Sequence, residues 1–286
     1  MVGQIQRVGV VGGGLMGSGI AEVSVRAGLD VVLSEIDEDA AAAARARIRK
    51  SMDRAVGNGK LDEATRDSAL ERLNITTRLA DQADRQLVVE AVAENPEVKT
   101  SVFAELDRIV TDRDAVLASN TSSIPIAKLA GATERPGSVI GIHFFNPVPV
   151  LKLVELVPSL VTTEETVRRA GEFATEQLGK QPIRAQDRAG FVVNALLVPY
   201  LLSAVRMYES GFASAEDIDN GMVLGCAHPM GPLTLADMVG LDTVVAIADS
   251  MHAEYGDPGY AAPPLLRRMV DAGLLGKKSG KGFYQY

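Results

Sequence analysis

The sequence predicts an α/β protein of two domains: a doubly wound parallel sheet over residues 1–187, followed by an all-helical domain over residues 188–286. Three observations carry this. Short continuous apolar runs alternate with helical patterns through the first two thirds of the chain, as strands buried on both faces and covered by helices do. A glycine cluster follows the first of these runs and opens a helix. Beyond Asp187-Arg188-Ala189-Gly190 the patterns are helical, with no convincing strand. A length of 286 residues fits about two domains.

Residues 7–11 read as the first buried strand and residues 16–27 as a helix closed by Gly28. Residues 31–33 form a second strand. A long helix rich in alanine and arginine then runs from about Asp39 to the Gly57-Asn58-Gly59 turn. Residues 87–92, 116–119 and 139–143 are further apolar runs with helical segments between them. In the second domain, helical patterns cover residues 191–210, 215–224, 241–254 and 265–272, with turn signals at His228-Pro229 and Gly231-Pro232.

Composition narrows the function. With 29 basic and 37 acidic residues the net charge is −8, which argues against nucleic acid as the main partner while leaving room for a small anion at a local basic patch. One cysteine, Cys226, cannot close an intrachain disulfide, so a reducing cytoplasm suits the sequence; it reads as a buried packing residue or a redox-sensitive thiol, the first being the plainer. The most apolar stretch, residues 191–205, is too short to span a bilayer and carries Asn194 and Pro199. The N-terminal apolar run enters a glycine cluster instead of a cleavage site, so neither secretion nor a membrane association is expected. Three histidines and no H-x-x-x-H or C-x-x-C spacing leave no metal ligand set, and no G-x-S-x-G elbow is present.

Gly12-Gly13-Gly14-Leu15-Met16-Gly17 matches G-x-G-x-x-G directly after a strand and at the start of a helix. One glycine makes the tight turn, one lets the backbone approach a pyrophosphate and one permits close helix–strand packing; the helix N-terminus then faces the phosphates. Glu35 follows eighteen residues after Gly17, at the end of the second strand, where a carboxylate accepts from a ribose 2′-OH and repels a 2′-phosphate. A Rossmann-like domain binding NAD rather than NADP is expected.

Of the histidines, His228 precedes a proline in a turn and His252 lies on a polar helix face. His143 ends a strand expected to be parallel, at the edge where ligands of open α/β sheets collect. Glu155 follows twelve residues later in the next apolar run. Together they make a proton acceptor and a carboxylate that orients it; a structural histidine with an unrelated glutamate is the competing reading. Ser119-Asn120-Thr121-Ser122-Ser123 follows another strand, and its small polar groups suit a substrate oxygen or the nicotinamide. Ser122 or Ser123 equally fits a helix N-cap before Ile124.

These segments, with Glu90-Ala91-Val92-Ala93-Glu94-Asn95, His143-Phe144-Phe145-Asn146-Pro147, Gly190-Phe191-Val192-Val193-Asn194, Pro229-Met230-Gly231-Pro232 and the Gly276-Lys277-Lys278-Ser279-Gly280-Lys281-Gly282-Phe283-Tyr284 ending, resemble the 3-hydroxyacyl-CoA dehydrogenase family along essentially the whole chain. The stand-alone length resembles its bacterial members specific for 3-hydroxybutyryl-CoA rather than its fused multifunctional ones. The resemblance implies His143 as catalytic base with Glu155 as its partner, Ser122 at the reacting 3-oxygen and Asn194 at the acyl portion. It implies Glu94, Lys99, Asn146 and Lys278 on the nicotinamide side, and Ser51 and Lys60 by the CoA moiety. It also implies a homodimer. Glu35 stands where the family often has aspartate, and Gly13 where alanine is commoner.

Such an enzyme moves a hydride between C3 of (3S)-3-hydroxyacyl-CoA and NAD while a base takes the hydroxyl proton. An imidazole, which accepts and returns protons near neutral pH, suits that task. Arg45, Arg47, Arg49, Lys50, Arg54 and Lys60 concentrate positive charge on and after one helix, as an anionic CoA requires; a solvated helix face is the alternative. Two rival functions stand beside this one: a dehydrogenase of a non-CoA β-hydroxy acid, and a non-catalytic NAD-binding module. The first wants a helical-domain lysine, and none occurs between Lys180 and Lys277.

Overall fold

The computed structural model describes residues 4–286. The chain divides into two compact units, Met1–Asp187 and Arg188–Tyr286.

The first unit is built on an eight-stranded sheet. Its strands are β1 (Arg7–Val11), β2 (Asp30–Ser34), β3 (Leu73–Thr76), β4 (Leu87–Glu90), β5 (Val116–Ser119), β6 (Val139–Phe144), β7 (Leu153–Pro158) and β8 (Gln181–Arg184). They lie in the order β3-β2-β1-β4-β5-β6-β7-β8. The sheet thus grows from β1 to β2 and β3 on one side and to β4 on the other, and this reversal opens a crevice at the carboxyl ends of β1 and β4. The connecting helices are α1 (Leu15–Arg26), α2 (Glu38–Gly57), α3 (Glu63–Glu71), α4 (Pro96–Ile109), α5 (Ile126–Ala130) and α6 (Glu164–Glu172). Central strands such as β4, β5 and β6 are buried at every residue, which is why they read as unbroken apolar runs. Val8, Val10, Val31, Leu33, Leu87, Val89, Ile140 and Ile142 join Ile20, Ile48 and Phe173 in one core.

The sheet is mixed rather than wholly parallel. β7 runs antiparallel to β6 and parallel to β8. β3 and β8, which the apolar pattern does not announce, sit at the two edges, where β8 is largely exposed and needs no apolar run.

The second unit contains α7 (Val193–Glu209), α8 (Ala215–Cys226), α9 (Pro232–Val239), α10 (Leu241–Tyr255) and α11 (Pro264–Asp271). Among its described residues the only β pairing is the isolated bridges Gly276–Lys281 and Lys281–Gln285. Leu201, Leu202, Val205, Leu233, Val244, Met251 and Leu266 form its core. Two buried carboxylates organise its end. Asp219 accepts from the N–H groups of Leu233 (2.8 Å) and Thr234 (2.9 Å) and from the Tyr284 hydroxyl (3.0 Å). Asp237 accepts from the N–H groups of Phe283 (3.0 Å) and Tyr284 (2.9 Å), and burial pushes its carboxyl above the ordinary range. Cys226, read from sequence as a packing residue, is instead exposed, because it closes α8 just before the left-handed turn at Ala227. Among the described residues no helix is long and apolar enough to cross a membrane.

Candidate active site

The crevice between β1 and β4 is lined first by the glycine loop. Gly12 has φ +92°, and a Cβ there would lie 2.7 Å from the Ala91 carbonyl; a Cβ on Gly17 would lie 1.8 Å from the Gly12 carbonyl. Both positions therefore require glycine. Nothing lies within 4 Å of a Cβ on Gly14, and no side chain caps α1, so its first N–H groups face open space. That donor-rich gap fits a pyrophosphate. Leu15 is exposed beside it, while Met16 packs against the sheet core. Glu35 follows β2, and its carboxylate accepts from the Gly13 N–H (2.6 Å) and the Ile36 N–H (3.1 Å), which seats it against the loop. Arg47 on α2 donates to the Gly13 carbonyl (2.5 Å) and the Ser18 hydroxyl (3.2 Å), bringing a guanidinium to the same loop.

The next part of the edge holds a network of charge. Glu90, the last residue of β4, is fully buried and accepts from the Lys99 ammonium (2.6 Å), the Val92 N–H (2.7 Å) and the Ser119 hydroxyl (2.6 Å). The same ammonium lies 3.2 Å from Glu94. Glu94 in turn accepts from the Thr121 hydroxyl, the Ser122 N–H (3.1 Å) and the Ser123 hydroxyl (3.0 Å). Burial pushes the Glu94 carboxyl up, but Lys99, Thr121 and Ser122 outweigh it, and the group is held below the ordinary carboxylate range. The two acids of Glu90-Ala91-Val92-Ala93-Glu94 thus grip the two ends of Ser119-Asn120-Thr121-Ser122-Ser123. Lys99 itself is buried, so its part at this edge is to fix the two carboxylates.

His143 lies near the carboxyl end of β6, and Glu155 stands directly opposite it on β7. The antiparallel register converts a separation of twelve residues into a cross-strand pair, with Nδ1 2.7 Å from Glu155 Oε2. Glu155 is fully buried and His143 nearly so. The pair is an ordered dyad, and the reading of an unrelated glutamate is excluded by this distance. With Nδ1–H donated to the carboxylate, the neutral ring carries its lone pair on Nε2. Asn120 ties the neighbouring strand in, accepting from the Phe144 N–H (2.9 Å).

Ser122 is half-buried in its loop, but neither it nor Ser123 caps a helix. The Thr121 hydroxyl accepts from the Ser123 and Ile124 N–H groups, α5 starts only at Ile126, and its first N–H groups are held by Asp187 (2.7 and 2.8 Å). Asn146 is exposed in the loop between β6 and β7, whose Val148 and Leu151 carbonyls accept from the buried Lys180 ammonium (2.5 and 2.7 Å). Ser51 turns inward to hydrogen-bond Glu22 on α1, whose carboxyl burial pushes up. Lys60 is exposed after α2, as are Arg45, Arg49, Lys50 and Arg54 on it. Asn194 and Lys278 belong to the second unit: Asn194 is half-buried in the first turn of α7, and Lys278 pairs with Asp242 (2.5 Å).

Comparison with known proteins bears on the whole chain. Residues 7–188 match the 3-hydroxyacyl-CoA dehydrogenase NAD binding domain, and residues 190–286 match the C-terminal domain of the same family. The chain belongs to the 3-hydroxyacyl-CoA dehydrogenase family. It is 64% identical over 282 residues to a 3-hydroxybutyryl-CoA dehydrogenase of Mycobacterium tuberculosis, covering 99% of both. The crystal structure of M. tuberculosis FadB2 superposes with a TM-score of 0.98 at 63% identity, over 99% of this chain and all of that one. The (S)-3-hydroxybutyryl-CoA dehydrogenase PaaH1 of Ralstonia eutropha gives 0.92 at 45% identity, over 99% of each chain.

Within this family frame, sequence reasoning missed Glu90 and Lys180. The signal for Glu90 was present: an ionisable residue at the end of an otherwise apolar Leu-Val-Val run, with a lysine nine residues on. Such a carboxylate is buried only if a cation joins it.

Proposed function

We propose that this chain is the NAD-dependent dehydrogenase that interconverts short-chain (3S)-3-hydroxyacyl-CoA, 3-hydroxybutyryl-CoA foremost, and the corresponding 3-oxoacyl-CoA. The observation that carries the reading is the buried His143–Glu155 dyad at the same sheet edge as a glycine loop fitted to a dinucleotide. When bound, NAD supplies the hydride acceptor. His143 Nε2 takes the proton from the 3-hydroxyl, and the Glu155 carboxylate steadies the imidazolium that forms. Ser122 hydrogen-bonds the 3-oxygen, Asn194 the acyl portion, and Asn146 and Glu94 flank the nicotinamide, with Lys99 positioning Glu94. Lys278, Ser51 and Lys60 are assigned by family likeness alone. Residues 1–187 then serve the cofactor, and residues 188–286 serve substrate and a homodimer in the cytoplasm. Curated relatives named as 3-hydroxybutyryl-CoA dehydrogenases support this substrate over a free β-hydroxy acid or a non-catalytic module.

The test is His143→Ala assayed by NADH absorbance with acetoacetyl-CoA. NADH binding should be nearly intact while turnover falls by about two to four orders of magnitude. Near-normal turnover in the variant would remove the base from the mechanism. Activity on acetoacetate equal to that on acetoacetyl-CoA would restore the non-CoA reading.

A further inference from the structure

The network at the ends of β4 and β5 has an unequal charge count. Two carboxylates, Glu90 and Glu94, share one ammonium, that of Lys99, and no other basic side chain among the described residues pairs with either. The hydrogen-bond partners of both carboxylates are donors, as acceptor-only carboxylates require. Lys99 sits closer to Glu90, at 2.6 Å against 3.2 Å. Glu90 is sealed, whereas the Glu94 side chain keeps 38% of its surface exposed, so the uncompensated charge lies on the open side of the network. Its place is fixed by the backbone: Ala91 N–H donates to the Val11 carbonyl (2.8 Å), and Ala91 packs against Gly12 and Gly17. Glu94 follows Ala91 by three residues and is tied to Ser122 and Ser123 beyond β5, so the negative charge stands at the carboxyl edge of the sheet, on the strands between the glycine loop after β1 and His143 on β6.

We propose that Glu94, held by Lys99 and Glu90, sets the relative affinity of this enzyme for the two redox states of its cofactor, favouring the oxidised form. This rests on the cofactor reading given above. The oxidised nicotinamide ring carries a positive charge that the reduced ring lacks, while the pyrophosphate is common to both. A fixed carboxylate near the ring attracts only the former, and partial burial limits screening. Because differential binding shifts an equilibrium by the ratio of affinities, the bound pair is biased toward hydride leaving the cofactor, that is, toward reduction of the 3-oxo group. Glu90 acts through Lys99 and Ser119 and is a positioning residue.

The experiment measures dissociation constants for NAD+ by calorimetry and NADH by fluorescence on the wild-type protein, Glu94→Gln and Glu94→Asp. In Glu94→Gln the NAD+ constant should rise about fivefold or more relative to the NADH constant, while Glu94→Asp keeps the wild-type ratio within about twofold. The ratio is its own control, since loss of structure weakens both forms together. Equal weakening of both forms in Glu94→Gln would overturn the proposal while leaving the cofactor reading intact. Failure of the wild-type protein to bind either form would overturn both. A measurement free of variants is the salt dependence of the wild-type constants: NAD+ affinity should fall relative to NADH affinity as ionic strength rises, and parallel slopes would also overturn the proposal.

Discussion

Glu155→Gln isolates the contribution of the carboxylate to the dyad. The substitution keeps shape and volume at a fully buried position, so the sheet should tolerate it, and β7 stands four strands from β1, so cofactor binding should not change. What is lost is a charge-assisted hydrogen bond of 2.7 Å to Nδ1. Such bonds contribute roughly 1.5–3 kcal/mol. This one strengthens as the ring becomes cationic, so most of that loss falls on the transition state. At about 1.4 kcal/mol per decade, kcat should drop by roughly ten- to 150-fold with the Gln amide oxygen turned to the ring. Should the amide N–H turn there instead, Nε2 acquires the proton and the fall grows toward roughly 10⁴-fold. The assay is steady-state NADH consumption with acetoacetyl-CoA, alongside NADH affinity and a melting curve. His143→Ala with Glu155→Gln completes a cycle, and the double variant should be hardly slower than His143→Ala alone, because residues acting as a unit are not additive. A Glu155→Gln turnover within about threefold of wild type, or multiplicative effects in the cycle, would refute the reasoning.

Three further outcomes are expected. If the Glu35 carboxylate is what turns away a 2′-phosphate, Glu35→Ser should narrow the preference for NAD over NADP by about tenfold or more; an unchanged ratio of kcat/KM for the two cofactors would exclude Glu35 as the discriminator. If the exposed bases of α2 serve CoA, acetoacetyl-CoA affinity should weaken as salt rises from 0.05 to about 0.5 M while that of an acetoacetate ester hardly moves, measured as KM at each salt concentration. Asp107, buried against Arg135 at 2.6 Å, is pushed up by burial but held below the ordinary carboxylate range overall by the Glu134 N–H and by Arg135. A depressed folded-state value means its stabilisation is present above the unfolded value near 3.9 and disappears as pH falls through the folded one. Asp107→Ala should therefore cost about 3–5 kcal/mol in urea unfolding at pH 7, since it leaves the buried Arg135 guanidinium with backbone carbonyls but no counter-charge, and less toward pH 3. A cost independent of pH would refute the assignment.

Much of this architecture is legible because the central strands obey one simple rule: buried on both faces, they are apolar throughout. β5 is read residue for residue, and the order strand, glycine loop, helix, strand, acid can be followed from Arg7 to Glu35. β3 and β8 escape because edge strands bury little, and Leu-Asn-Ile-Thr or Gln-Pro-Ile-Arg carries no run to detect. α9 escapes because eight residues beginning with proline give too short a period. The direction of β7 is hidden for a different reason: a long connection with two prolines does not say whether the chain turns back beside β6 or crosses over. His143 and Glu155 could be singled out by type and position, but their opposition follows from that reversal, which is a property of the ladder. Glu90 belongs to the same class, since its three donors come from residues 92, 99 and 119 and meet only when the sheet closes.

The reversal at β7 also governs which changes the His143–Glu155 pair can survive. Because the two side chains are aligned by rungs of the ladder on either side, from Ile140–Pro158 to Phe144–Val154, the stretch joining the strands has no say in their alignment. Insertions there leave the cross-strand contact of His143 with Glu155 in place. A single residue added within β7 before Glu155 would turn the carboxylate to the far side of the sheet.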